Sequence, residues 1–191
     1  MIQALEDAFS TKDDLLRACN QLRTEGLGFW RRIDADRFWS RQNVVWSPAD
    51  NVRHLILSTV PVARALRVHR LILGTLFGVA KTPSRNWTSL CSTYLAGLAS
   101  GGTAGRYAPK QTAPPTNTLE EQQQLVSQFA FTLRRLEEGI KPWNERDLER
   151  YRLPHPVLGR LTVREMLMFT LFHVEHHQEN VARRLTDPCD P

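Results

Sequence analysis

The 191-residue chain has few cysteines: three, Cys19, Cys91 and Cys189, far apart and without a Cys-x-x-Cys spacing. Their odd number and scatter exclude the disulfide framework of a small secreted domain and a thiolate zinc or redox motif. Cys19 and Cys91 read as small core residues. Cys189, within DPCDP, reads as an exposed thiol on a flexible tail spanning 186–191. No apolar run approaches the roughly 18 residues of a membrane span, so no membrane association is expected. The start, MIQALEDAFSTKDDLL, lacks a basic region followed by an apolar core, and its acids argue against a transit peptide. The expected location is cytoplasmic. Alternating strand patterns with tight hairpin turns are absent, as are internal repeats and low-complexity tracts.

What is present is ordinary for one globular domain. Hydrophobic residues make up 41% and charged residues 24%, enough for a single core, so residues 1–191 are read as one domain. The net charge of +5 is too mild to imply a polyanionic partner. Arg31, Arg32, Arg64, Arg67 and Arg70 fit no recognition motif, and acids interleaved elsewhere in the chain offset most of the positive charge, so nucleic acid is disfavoured as a partner.

Four pairs have the spacing of a capping box, in which a serine or threonine accepts an amide hydrogen and an acid three residues on reaches back. They are Thr11/Asp14, Ser47/Asp50, Thr118/Glu121 and Thr162/Glu165, the second reinforced by Pro48 at the first helical position. After each, apolar residues recur at three and four: Leu15, Leu16, Cys19 and Leu22; Val52, Leu55, Ile56, Thr59 and Ala63; Leu125, Phe129, Leu133 and Leu136; Val163, Met166, Leu167 and Thr170. The predicted fold is all-α, a four-helix bundle with one or two short extra helices, around Trp87 to Leu98 and Asn144 to Glu149. The glycines, prolines and threonines of residues 100–118 cannot continue a helix and make a long crossover connection. Pro61 removes one hydrogen bond inside the second helix and predicts a kink about one turn after His54.

The six histidines carry the chemistry. Extended by 100° steps, the inward stripe of the last helix continues through His173, Val174, His177, Val181 and Leu185. Histidines at i and i+4 can converge on one ion. His54 lies roughly 100° from the exposed arginines of its helix, at the margin of the buried face, and can reach inward. A bundle can therefore bring three imidazoles to one point and leave a coordination position open, the pattern of catalytic rather than structural zinc. The competing reading is a set of packed, hydrogen-bonded core-edge histidines. The HExxH of zinc metalloproteases is missing, because Val174 follows His173 and Glu175 lies about 200° round the helix.

Two stretches carry a family resemblance. WSPADNVRHLILS (46–58) resembles the tryptophan-cap-helix segment of the DinB-like superfamily, in which a histidine followed by leucine supplies the first metal ligand. LPHPVLGRLTVREMLMFTLFHVEHHQENVARRL (153–185) resembles that family's last segment, a His-Pro-x-x-Gly turn and a capped helix with HxxxH near its end. Together they cover about a quarter of the chain in the family's order. The resemblance implies a four-helix bundle in which His54, His173 and His177 bind a divalent metal, zinc or nickel first, with manganese or iron as alternatives. Asn51, His155, His176 and Gln178 are supporting or marginal candidates. Where many members have an Arg-Gly-Gln or Arg-Gln run after the last ligand, this chain has Gln178, Glu179 and Asn180, which alters the surroundings of the ligands.

Two functions follow as expectations. The first is a metal-dependent enzyme, a thiol transferase or hydrolase acting on a small-molecule substrate, with a low-molecular-weight thiol as co-substrate in the former case. The second is a non-catalytic, metal-stabilised bundle that binds a small ligand or a protein partner; a homodimer is compatible with it. No catalytic base is identified: Glu175 and Glu179 point away from the inward stripe, and His155 is either a proton shuttle or a turn-stabilising residue.

Overall fold

The computed structural model describes residues 9, 11–41 and 45–186. In chain order its helices are α1 (Lys12–Gln21), continued by a π turn (Leu22–Gly26) into α2 (Leu27–Arg32), then α3 (Ala35–Trp39), α4 (Pro48–Ala65), α5 (Arg70–Phe77) and α6 (Trp87–Ala99). A connection with one 3₁₀ turn (Gly105–Tyr107) leads to α7 (Thr118–Ile140) and α8 (Glu145–Arg150). Strands β1 (Arg152–His155) and β2 (Gly159–Thr162) and the final helix α9 (Val163–Thr186) complete the chain. The α1–α2 rod, α4, α7 and α9 form a helical bundle. No helix among the described residues is long and apolar enough to cross a membrane.

Three of the four expected caps form. Thr11 and Asp14 bond reciprocally at 3.2 and 2.8 Å, and Ser47 and Asp50 at 3.1 Å in both directions. Thr162 and Glu165 do the same at 3.0 Å. The box expected at Thr118 and Glu121 does not form. Helix α7 begins at Thr118 itself, whose hydroxyl turns to Asp36 of α3 at 3.4 Å while its carbonyl accepts from Trp39 Nε1 at 2.8 Å. Tertiary contacts with α3 take the groups that a local cap would have used.

The apolar stripes meet in one core around Trp30, Phe38, Phe129 and Trp143. Leu125, Phe129, Leu133 and Leu136 are buried as their spacing predicts, as are Cys19 and Cys91. Burial pushes both thiols up to about 12, which leaves them protonated and inert. Cys189 lies outside the described residues. Helix α4 continues through Pro61 to Ala65, and α9 reaches Thr186.

Helix α9 is enclosed all round at its start: every residue from Val163 to Leu171 is buried. Its two early charges are therefore paired, Arg164 with Glu145 and Glu149 of α8, and Glu165 with Arg85 at 2.8 Å. The short helices α3 and α5 have no counterpart in the sequence reading, and the expected absence of hairpins is overturned. Leu153 pairs with Leu161 and His155 with Gly159 in an antiparallel ribbon, both leucines buried. Four residues per strand are too few to show an alternation, and Gly159 supplies the positive φ of +73° at the turn.

Asp50 anchors the start of α4. Burial raises its pKa, but bonds from Arg41 (2.7 Å) and Ser47 outweigh this and hold the carboxyl below its ordinary 3.8. Asp50→Asn keeps the shape and removes the charge, and is expected to cost about 1–3 kcal/mol of unfolding free energy at pH 7. The folded pKa is the lower one, so the carboxylate's contribution is present above 3.8 and lost as pH falls below it. Denaturant melts should show the gap to wild type closing there.

Candidate metal centre

Helix α4 carries Asn51 and His54, and α9 carries His173 and His177 one turn apart. The cap that fixes the start of α4 also orients Asn51: its Nδ2 donates to the carbonyls of Ser47 at 2.8 Å and Trp46 at 3.3 Å. Asn51 Oδ1 is thereby turned to His177 Nδ1, 2.6 Å away. An amide oxygen only accepts, so this Nδ1 carries the proton and His177 Nε2 presents its lone pair. His54 is set in the same way by the Tyr107 carbonyl, 2.9 Å from its Nδ1. This carbonyl belongs to the long connection between α6 and α7.

The three Nε2 atoms face one another. His173 Nε2 lies 3.1 Å from that of His54 and 3.1 Å from that of His177, and the donor atoms of all three residues fall within 4.8 Å. His173 can donate one hydrogen bond into this group, which leaves at least one lone pair facing nitrogen without a proton between. A divalent cation would resolve the arrangement. At the zinc–imidazole distance of about 2.0–2.1 Å, tetrahedral N–N edges are about 3.3–3.4 Å, so the two edges at His173 need open by only a few tenths of an ångström to admit an ion. The donor set fits a metal.

Burial keeps these rings neutral. It lowers the pKa of His54 against the raising effect of the Tyr107 bond, and lowers His177 to about 3, helped by the charges of His54, His176 and Arg184. His173 is held well below 6.5 by burial, then by the neighbouring imidazoles. Trp46 packs on His54 at 4.9 Å between ring centroids and lies parallel to His177, while Phe169 stacks on His173 at 5.1 Å.

The three rings form one wall of a pocket of about 410 Å³ between α4, α6, α9, the hairpin and the crossover connection. His155 also lines it. Its Nδ1 accepts from the amides of Val157 (3.2 Å) and Leu158 (3.0 Å), so it stabilises the turn, and burial lowers its pKa to about 4. His176 lines the pocket too, its Nε2 accepting from Asn180 at 2.9 Å. Gln178 is elsewhere: it donates to the carbonyl of Gly26 at 2.8 Å and satisfies the π turn of the first rod. Glu175 and Glu179 do not line the pocket. Sequence reasoning missed the Tyr107 carbonyl, because a backbone oxygen carries no residue signature.

A helical bundle holding three convergent imidazoles, His54 and His173 buried and His177 half-buried, beside an apolar pocket fits a metal-binding class of protein. The DinB superfamily profile matches residues 11–181, and the chain belongs to that superfamily. No curated protein and no solved structure gives a match.

Two outcomes follow. Asn51→Ala frees His177 to rotate and change tautomer, and is expected to weaken zinc affinity about 10- to 100-fold in a competition titration with the helical circular dichroism unchanged. His54, His155, His173, His176 and His177 have folded pKa values below the ordinary 6.5, so the unfolded chain takes up more protons as pH falls below 6.5. The chelator-treated protein should therefore melt at a lower temperature at pH 5 than at pH 7.5.

Proposed function

We propose that this chain is a metal-dependent enzyme in which His54, His173 and His177 hold one divalent ion, zinc or nickel in preference to manganese or iron. The reading rests on one observation: the outward Nδ1 atoms of His54 and His177 are each fixed on an oxygen, and all three Nε2 atoms point to one place beside a pocket. The ion supplies Lewis acidity, which lowers the pKa of a water or thiol enough to make it a nucleophile near neutral pH. The substrate is a small molecule and the reaction a thiol transfer or a hydrolysis.

The chain's own residues bind and orient. Asn51 and the Tyr107 carbonyl hold two imidazoles in the ligating tautomer, and Trp46 and Phe169 keep water from the ring faces. Ser58 and Thr170 line the pocket, but their hydroxyls donate to the helix carbonyls of His54 (2.9 Å) and Met166 (2.7 Å). With Nδ1 accepting two amides, neutral His155 has its proton on Nε2, which makes it a hydrogen-bond donor rather than a base.

Protein purified without chelator is expected to carry about one equivalent of divalent metal, lost in His173→Ala/His177→Ala. A metal-free wild type would overturn the reading. An electrophile screen with and without added small thiols should give turnover that disappears in His54→Ala; a loaded, folded protein without turnover would be the non-catalytic binding module instead.

A further inference from the structure

The charge around the pocket is one-sided. Between Asp50 and Glu120 the chain has no acidic residue, against eight arginines and lysines, of which Arg53, Arg67, Arg70 and Arg85 pair with acids from outside that run. That stretch supplies α4, α5, α6 and the crossover connection, one side of the pocket. The opposite side, from the hairpin and α9, adds none: among the described residues no aspartate or glutamate lines the pocket. Glu165 is turned to Arg85 and the Thr162 cap, and Glu175 to a separate cleft with Glu25 and Gln178.

Against this background the wall offers donors. Among the described residues Arg106 is the only arginine or lysine that lines the pocket. It donates to the Tyr107 hydroxyl at 3.0 Å, lies 5.1 Å over that ring, and makes no ion pair among the described residues. His155 Nε2–H has no hydrogen-bond partner among the described residues. Much of the remaining surface is apolar, with Val62, Phe77, Leu98 and Val157.

We propose that the pocket takes a small organic anion with an apolar body, its acceptor-only head received by Arg106 and the His155 Nε2–H and its chain lying against Val62, Phe77, Leu98 and Val157. A carboxylate is the simplest such head, since all its oxygens accept. A cation would stand beside an uncompensated guanidinium with no carboxylate to pair it. The inference deepens the function proposed above by naming the substrate class of the same pocket, and Arg106 makes it separable from the metal.

The probes are octanoate, 1-octanol and octylamine, titrated by calorimetry and by intrinsic tryptophan fluorescence, to which Trp46 in the pocket wall contributes. Both chelator-treated and zinc-loaded protein are used. Octanoate is expected to bind at least about tenfold more tightly than the other two in both forms. Arg106→Gln, at an exposed position, should reduce octanoate affinity about three- to tenfold and leave octanol unchanged, with Arg106→Lys restoring most of it. Raising salt to about 1 M, where the Debye length is about 3 Å, should weaken octanoate alone. Leu98→Trp, which narrows the apolar part of the pocket, should weaken binding of all three. Equal or tighter binding of octanol or octylamine, an unchanged Arg106→Gln, or full binding by folded Leu98→Trp would each overturn the proposal. Octanoate binding confined to the zinc-loaded form and indifferent to Arg106 reports the ion alone and overturns it too. Loss of the metal site with Arg106-dependent binding intact would leave this proposal standing while the metal reading fails.

Discussion

Two outward hydrogen bonds decide what the three histidines can be. Had His54 and His177 their protons on Nε2, the cluster would be a hydrogen-bonded core-edge group, which is the bland reading of an HxxxH pair. The Asn51 amide oxygen at 2.6 Å and the Tyr107 carbonyl at 2.9 Å exclude that state, because neither can donate. Lone pairs are thereby directed at one another in a buried place, where only a cation or a proton relieves them. The choice between those two is electrostatic: burial has already lowered the pKa of His177 to about 3 and of His54 below its ordinary value, so the proton is the poorer occupant near neutral pH.

The rest of the bundle holds those two bonds in place. Asn51 points correctly because Ser47, Asp50 and Arg41 fix the first turn of α4. The Tyr107 carbonyl reaches His54 from a connection far away in sequence, so this imidazole and the loop over the pocket are tied by one bond. Helix α9 cannot roll, since Arg164 and Glu165 are pinned to α8 and Arg85 in a fully buried segment. The same helix presents Phe169 and His173 to the pocket, which joins the rigidity of the core directly to the geometry of the site.

The helical stripes were legible because each long helix buries one face: Leu125, Phe129, Leu133 and Leu136 announce α7 by spacing alone. His173 and His177 were legible for the same reason, and His54 because its angular place against the exposed arginines leaves it a path inward. The Thr118 cap was misread because Asp36 and Trp39, more than 75 residues away in sequence, take its polar groups. The hairpin escapes a pattern search because its strands are four residues each, and Gln178, a marginal candidate by its place after His177, has its partner in the π turn of the first rod. The acid-free run from 51 to 119 was in plain view, but a net charge averaged over the chain conceals it. It matters only once the fold shows that this run forms one side of the pocket.

The central claim is that three Nε2 atoms, and no Nδ1, hold one ion. Anomalous diffraction at the zinc edge, from crystals grown with stoichiometric zinc, tests it most directly. The account predicts a single peak about 2.0–2.1 Å from the Nε2 atoms of His54, His173 and His177, with Asn51 and the Tyr107 carbonyl still on the outward nitrogens. A peak on an Nδ1, a peak held by only two of the three histidines, or no peak at this position would contradict it.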